Sequence, residues 1–142
     1  MSFCDKLEAY LTKEGYAPEK TEFGLHFKFE SLDFLHIRDE QDELFFNCFF
    51  PQIFKAEDDA AKADVLEALN NANLQMKCAK GAIHPDGFVW VGVESLLSDN
   101  YDLDDVLHKA LNMMKAYRDV FYHNYSQTPS GQAAMAAAQQ QA

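Results

Sequence analysis

Ile83-His84-Pro85-Asp86-Gly87-Phe88-Val89-Trp90-Val91 is the stretch that decides the architecture. Pro85 presets the backbone torsion of a tight turn and Gly87 supplies a positive φ, so the apolar runs on either side fold back on each other. The expectation is a hairpin of two strands, over residues 74–83 and 88–93, joined at His84–Gly87.

Upstream, Leu44-Phe-Phe-Asn-Cys-Phe-Phe50 is apolar at both parities, with only Asn47 interrupting. A strand of this kind has both faces covered, either as a central strand or with one face meeting a partner. Pro51 reads as its end. Before it, residues 21–30 alternate. Phe23, Leu25, Phe27 and Phe29 fall on one side and Glu22, His26, Lys28 and Glu30 on the other, the period of a half-buried strand. A turn around residues 31–33 leads to a further strand over 34–38, and the acidic stretch 39–43 leads into the Phe-rich one.

Helices complete the order. Ser2 with Asp5 forms a capping box before Phe3, Leu7, Tyr10 and Leu11, and Gly15 stops that first helix. Glu57-Asp58-Asp59 places negative charge at the start of a second helix, over 58–73, where the backbone dipole favours it. Its inward side is Ala61, Val65, Ala68, Leu69 and Ala72, with Leu66 off the stripe. A third helix follows Asp99, Asp102, Asp104 and Asp105 and reaches about residue 124. Leu103, Leu107, Ala110, Met114, Tyr117 and Phe121 form its central stripe, broadened by Val106, Met113 and Val120 on one flank and Leu111 on the other. That width exceeds the ~100° needed for one layer, so the helix should touch the sheet and another helix, or a second subunit.

Residues 1–125 thus read as a single α+β domain of order α-β-β-β-α-β-β-α, with one antiparallel sheet packed against helices. Residues 126–142 read as a C-terminal tail. Ten of the twelve residues from Gly131 to Ala142 are Ala or Gln, a composition too short to hold a helix alone in water, and the tail is expected to be frayed and solvated, with Met135 a docking knob if it docks.

Twelve Lys+Arg against 23 Asp+Glu give a net charge of −11, which repels phosphate backbones and anionic lipid, so neither nucleic acid nor membrane is an expected partner. Cys4, Cys48 and Cys78 are odd in number and lack a CxxC, and the first ten residues form no apolar signal core. These features predict a reducing cytoplasm. Cys48 reads as a buried thiol and Trp90 as core.

The signatures GxGxxG, Walker A, HExxH, GxSxG and paired CxxC are missing from the sequence, and no cofactor or metal is expected. His26 and His36 would face each other if their strands paired in the right register, and with Asp33 they carry one alternative reading, a small enzyme or a ligand- or metal-binding protein. His108 and His123 lie about 22 Å apart along a helix and cannot share an ion. His123 should pair with Asp119. Asp99 to Asp105 lack the Gly and Glu positions of a calcium loop and read as helix-capping acids.

Leu66-Glu-Ala-Leu69-Asn70-Asn71-Ala-Asn73, then Met76-Lys-Cys78, the Asp86-Gly87 turn and Val89-Trp-Val91 carry a likeness. With the element order, they make residues 2–125 resemble the type III secretion chaperone-like fold, including its YbjN-like relatives, in which a helix ending in Leu and Asn precedes a similar strand, Asp-Gly turn and strand. The resemblance implies a homodimer that binds an extended segment of a client polypeptide and performs no catalysis. It carries no fixed set of binding residues. Surplus apolar surface points to Phe45, Phe49, Leu66, Val106, Met113 and Val120 as the candidate protein-binding residues, with Leu66 and the final hairpin as the expected dimer contact. An ordinary two-sided core is the competing explanation for the same residues. A structural subunit with a folded, constitutive partner is a third possibility.

Overall fold

The computed structural model describes residues 2–141. Ser2 accepts a hydrogen bond from the Asp5 N–H while the Asp5 carboxylate accepts from the Ser2 N–H, and this reciprocal cap starts α1, Phe3–Lys13. Such a cap is worth about 1 kcal/mol. Gly15, at φ 85°, turns the chain out of the helix. A two-residue strand β1, Glu19–Lys20, precedes β2, Gly24–Phe29, and β3, Leu32–Ile37. Glu30 and Ser31 both take positive φ and make the two-residue turn between β2 and β3, one residue earlier than the sequence suggests. Neither is the Gly or Asn such turns favour, so the sequence shows that the chain turns here but not at which two residues.

The chain then forms β4, Phe45–Lys55; α2, Asp59–Gln75; β5, Ala79–Ile83; β6, Phe88–Leu96; α3, Leu103–Ser126; and α4, Pro129–Gln141. The sheet order is β1-β2-β3-β4-β6-β5, antiparallel throughout. The protein is therefore an α+β fold with one antiparallel sheet against helices.

Pro51 does not end β4. The strand continues through a bulge in which Pro51, Gln52 and Ile53 stand opposite Trp90, and pairing resumes at Phe54 with Val89. Proline has no N–H to give, but a bulge needs none there. The strand expected from residue 74 begins only at Ala79, because Leu74 is still in the last turn of α2 and is exposed.

Register assigns every strand residue to a face. Leu25 pairs with His36, Phe27 with Phe34, Cys48 with Val93, Phe50 with Val91, and Gly81 with Val91. All of these are on the side covered by α1, α2 and α3, where the buried core of Leu7, Leu11, Phe27, Phe34, Phe46, Val65, Leu107, Met114, Tyr117 and Phe121 lies. The other side carries no helix. Phe45, Phe49, Trp90 and Leu96 stand there, so the Phe-rich strand is covered on one face only and Trp90 is half-buried on the open face instead of in the core.

The inward residues expected of α2, Ala61, Val65, Ala68, Leu69 and Ala72, are all buried, and α3 packs on both the sheet and α2. Residues 129–141 are helical where a frayed segment was expected. The reason is in the first turn, which docks: Ser130 N–H donates to Asp64 Oδ2 of α2 at 2.9 Å, and Gly131 is buried against the end of α3.

Candidate functional site

The helix layer is incomplete. The second half of α3 is covered by α2, where the Tyr117 hydroxyl donates to Asn73 Oδ1 at 2.6 Å and the Asn124 amide to Ala68 and Gln75. Its first half is bare on one side. There a groove of about 710 Å³ opens between α3 and the β4–β6 part of the sheet. Val106, Ala110, Met113 and Ala116 form its helix wall and Phe46 and Val93 its sheet wall. Cys78, at the entry to β5, and Glu94 stand at its rim, with Asp105 and Lys109 paired to each other at 3.0 Å. The volume is in the range of sites that take a drug-sized group or several side chains.

The six candidate residues are not one site. Val106 and Met113 meet in the groove, while Val120 is half-buried one turn before Asn124, on the part of α3 that α2 covers. Phe45 and Phe49 lie on the open face of the sheet, opposite Leu96 and Gly92. Leu66 is 51% exposed on α2, apart from both. Spacing along one helix could find Val106 and Met113. Phe46, Val93 and Cys78 have no such signal, because they reach the groove only through the β4–β6–β5 pairing.

The open face has its own cluster. His84 stacks on Trp90 with centroids 4.6 Å apart and planes 5° from parallel, and Phe49 meets both edge-on. The Trp90 indole N–H and the Gln52 amide both donate to Asp86 Oδ2 at 3.1 Å. The Phe88 N–H foremost, and these two donors after it, hold the Asp86 carboxyl below its ordinary range. The cluster is tied down by its own hydrogen bonds and ring contacts.

His26 and His36 do not converge. They belong to adjacent strands but to opposite faces, since His26 is level with Leu35 and His36 with Leu25. On the open face, His26 Nε2 lies 2.8 Å from Asp33 Oδ1. Under the helices, His36 Nδ1 bonds the Asn47 carbonyl at 2.9 Å, its Nε2 has no partner, and burial lowers its pKa. The Asn47 amide replaces backbone pairing by bonding both N–H and C=O of Ile37. Among the described residues no three His, Cys, Asp or Glu side chains are placed to hold one ion. Asp119 is engaged by Arg118 at 3.3 Å in place of the expected His123.

Strand addition at β5, the free edge of the hairpin, is hindered at its centre. Asn73 of α2 accepts from the Gly81 N–H at 2.9 Å and donates to the Gly81 carbonyl at 3.2 Å. Lys80 Nζ donates to the last carbonyls of α2, at Asn73 and Met76. The outward N–H and C=O of Gly81, at the middle of the edge, are thereby satisfied, which hinders edge pairing there. No described helix is long and apolar enough to cross a membrane.

No protein-family model matches the chain, and no curated protein is similar to it in sequence. Function is accordingly argued from the geometry above.

Proposed function

We propose that this chain is a cytoplasmic, non-enzymatic, chaperone-like protein-binding module, working as a homodimer, that receives an apolar segment of a client polypeptide in the α3–β6 groove. The observation that carries this is the groove itself: about 710 Å³ of apolar space that none of the chain's own side chains fills, walled by Val106 and Met113. The likeness to secretion chaperones supports the same reading, with apolar client residues docking into a surface groove. With a net charge of −11, clients with flanking Lys or Arg are favoured and their association is slowed by salt.

The test is purification of the intact protein at native abundance, with native mass spectrometry of what stays bound, beside a Met113→Lys form. Met113 is half-buried in the groove wall, so the substitution charges the groove while leaving the core in place. A near-stoichiometric polypeptide retained by the wild type and lost from Met113→Lys is the expected result. Equal retention by both forms, or a wild type carrying a small molecule and no polypeptide, overturns the proposal.

A further inference from the structure

α4 is held to the body at one end only. Thr128 Oγ1 accepts from the Gly131 N–H at 3.1 Å and Ser130 N–H is held by Asp64. Gly131 has no room for a side chain, because a Cβ there would stand 1.9 Å from the Tyr125 carbonyl oxygen. From Gln132 onward every described residue is exposed, Met135 at 51%. An Ala/Gln helix of this length is marginal in water by itself. Its free part is an uncovered helix with a single large apolar side chain, Met135, at its centre.

The groove fits that helix in length, and the helix brings no charged side chain into it. The α3 residues that line it run from Asp105 to Ala116, about 16 Å of helix, and Gln132–Gln141 measures about 14 Å. Ala110 and Ala116 on the wall, and alanines on α4, allow two backbones to approach closely, as ridges of small residues do. From Val120 to the last residue the sequence holds no Asp, Glu, Lys or Arg, the longest such stretch in a chain of net charge −11. It is the part of the molecule that approaches a second anionic copy without adding like-charge repulsion.

Within one chain the match is not made. The groove lies along the first half of α3, α4 leaves from its other end, and no α4 residue lines the groove. A second copy has no such restriction, and a two-fold axis makes the exchange reciprocal, with two helices in two grooves. We propose that α4 of a second copy occupies the α3–β6 groove, Met135 seated beside Met113, so that the homodimer is a closed form whose client site is filled by the protein's own C-terminal helix. This rests on the groove being a polypeptide site, and it adds regulation: a client must displace α4 from a groove, while the second exchanged helix keeps the two copies together.

The experiment compares the full-length wild type with full-length Met135→Lys and Met113→Lys by light scattering and by the rate at which Cys78 reacts with a thiol reagent. Cys78 is the exposed cysteine and stands at the groove rim, so an occupant of the groove shields it on that side. The expected result at about 50 μM is a wild-type dimer, two monomeric variants, and Cys78 reacting roughly tenfold faster in the variants. Met135 is exposed and far from the core, so its substitution does not threaten folding. A monomeric wild type, a dimeric Met135→Lys, or equal Cys78 rates overturns the assignment. Met135→Lys is then mixed with reduced, alkylated α-lactalbumin as an unfolded reporter. Binding by Met135→Lys that Met113→Lys lacks upholds the client reading whatever α4 does. No binding by Met135→Lys, with a protected wild-type dimer, removes the client reading and leaves α4 in place.

Discussion

The Tyr117 hydroxyl of α3 donates to Asn73 Oδ1 of α2 at 2.6 Å, and the same Asn73 amide is the group that seals the β5 edge at Gly81. One buried polar knot thus joins two helices to the last strand. Burial pushes the Tyr117 phenol up to about 12, so the bond keeps its donor across the working pH range.

Removing that donor, Tyr117→Phe, should cost about 1 kcal/mol in urea unfolding, and Asn73→Ala about 2–3 kcal/mol because it leaves the hydroxyl and the Gly81 backbone unpaired. Asn73→Ala should also self-associate through the opened edge, visible by light scattering. Equal costs for the two would mean that the edge pairing contributes nothing.

Gly81→Ala should destabilise by about 1–3 kcal/mol, since its Cβ would stand 2.6 Å from the Tyr117 oxygen and 2.8 Å from Leu69 Cδ2. With Tyr117→Phe in the same chain the total should fall short of the sum, because removing the hydroxyl relieves part of the clash. Strict additivity in denaturant midpoints would refute the contact.

Acid should weaken the fold through His36. Burial, and secondarily the Arg38 charge, lowers its pKa below the ordinary histidine range, while the Asn47 carbonyl opposes this. Above the unfolded pKa both states are neutral and nothing is lost. As pH falls below it the unfolded chain takes the proton first, so stability drops, by at most about 1.4 kcal/mol per pH unit, until the folded-state pKa is passed. Unfolding of wild type and His36→Gln at pH 7.5 and 5 measures this as the difference between the two slopes. Parallel slopes would exonerate His36.

Cys4 and Cys48 should stay unreactive to a thiol reagent until the protein unfolds, as both are buried and burial drives the Cys48 thiol well above its ordinary pKa. Their labelling rate should equal the unfolding rate. Faster labelling would reveal a local opening of α1 or β4.

Gly131→Ala should release α4, given the 1.9 Å approach to the Tyr125 carbonyl. The far-UV circular dichroism signal should drop by the share of this 13-residue helix, with little change in the cooperative unfolding of the rest. An unchanged spectrum would show that the dock tolerates a side chain.

Much of this was legible locally. Ser2 and Asp5, the acids before α2 and α3, the turn at His84–Gly87 and the buried stripe of α2 follow from caps, dipoles and periods that involve only near neighbours in sequence, and the structure has each of them. Alternation along a strand separates two faces but does not say which one the helices cover. That choice is made by register and by the path of the connections. It put His26 and His36 back to back, brought Trp90 out to the open face, carried β4 past Pro51 because β6 continues beside it, and docked the first turn of α4 on Asp64. The groove is of the same kind. Val106 and Met113 stood out as a helical flank, but its sheet wall of Phe46 and Val93 exists only where β4 and β6 pass beneath a part of α3 that α2 is placed too far along to cover. Local physics determined the elements, and long-range pairing decided what they leave exposed.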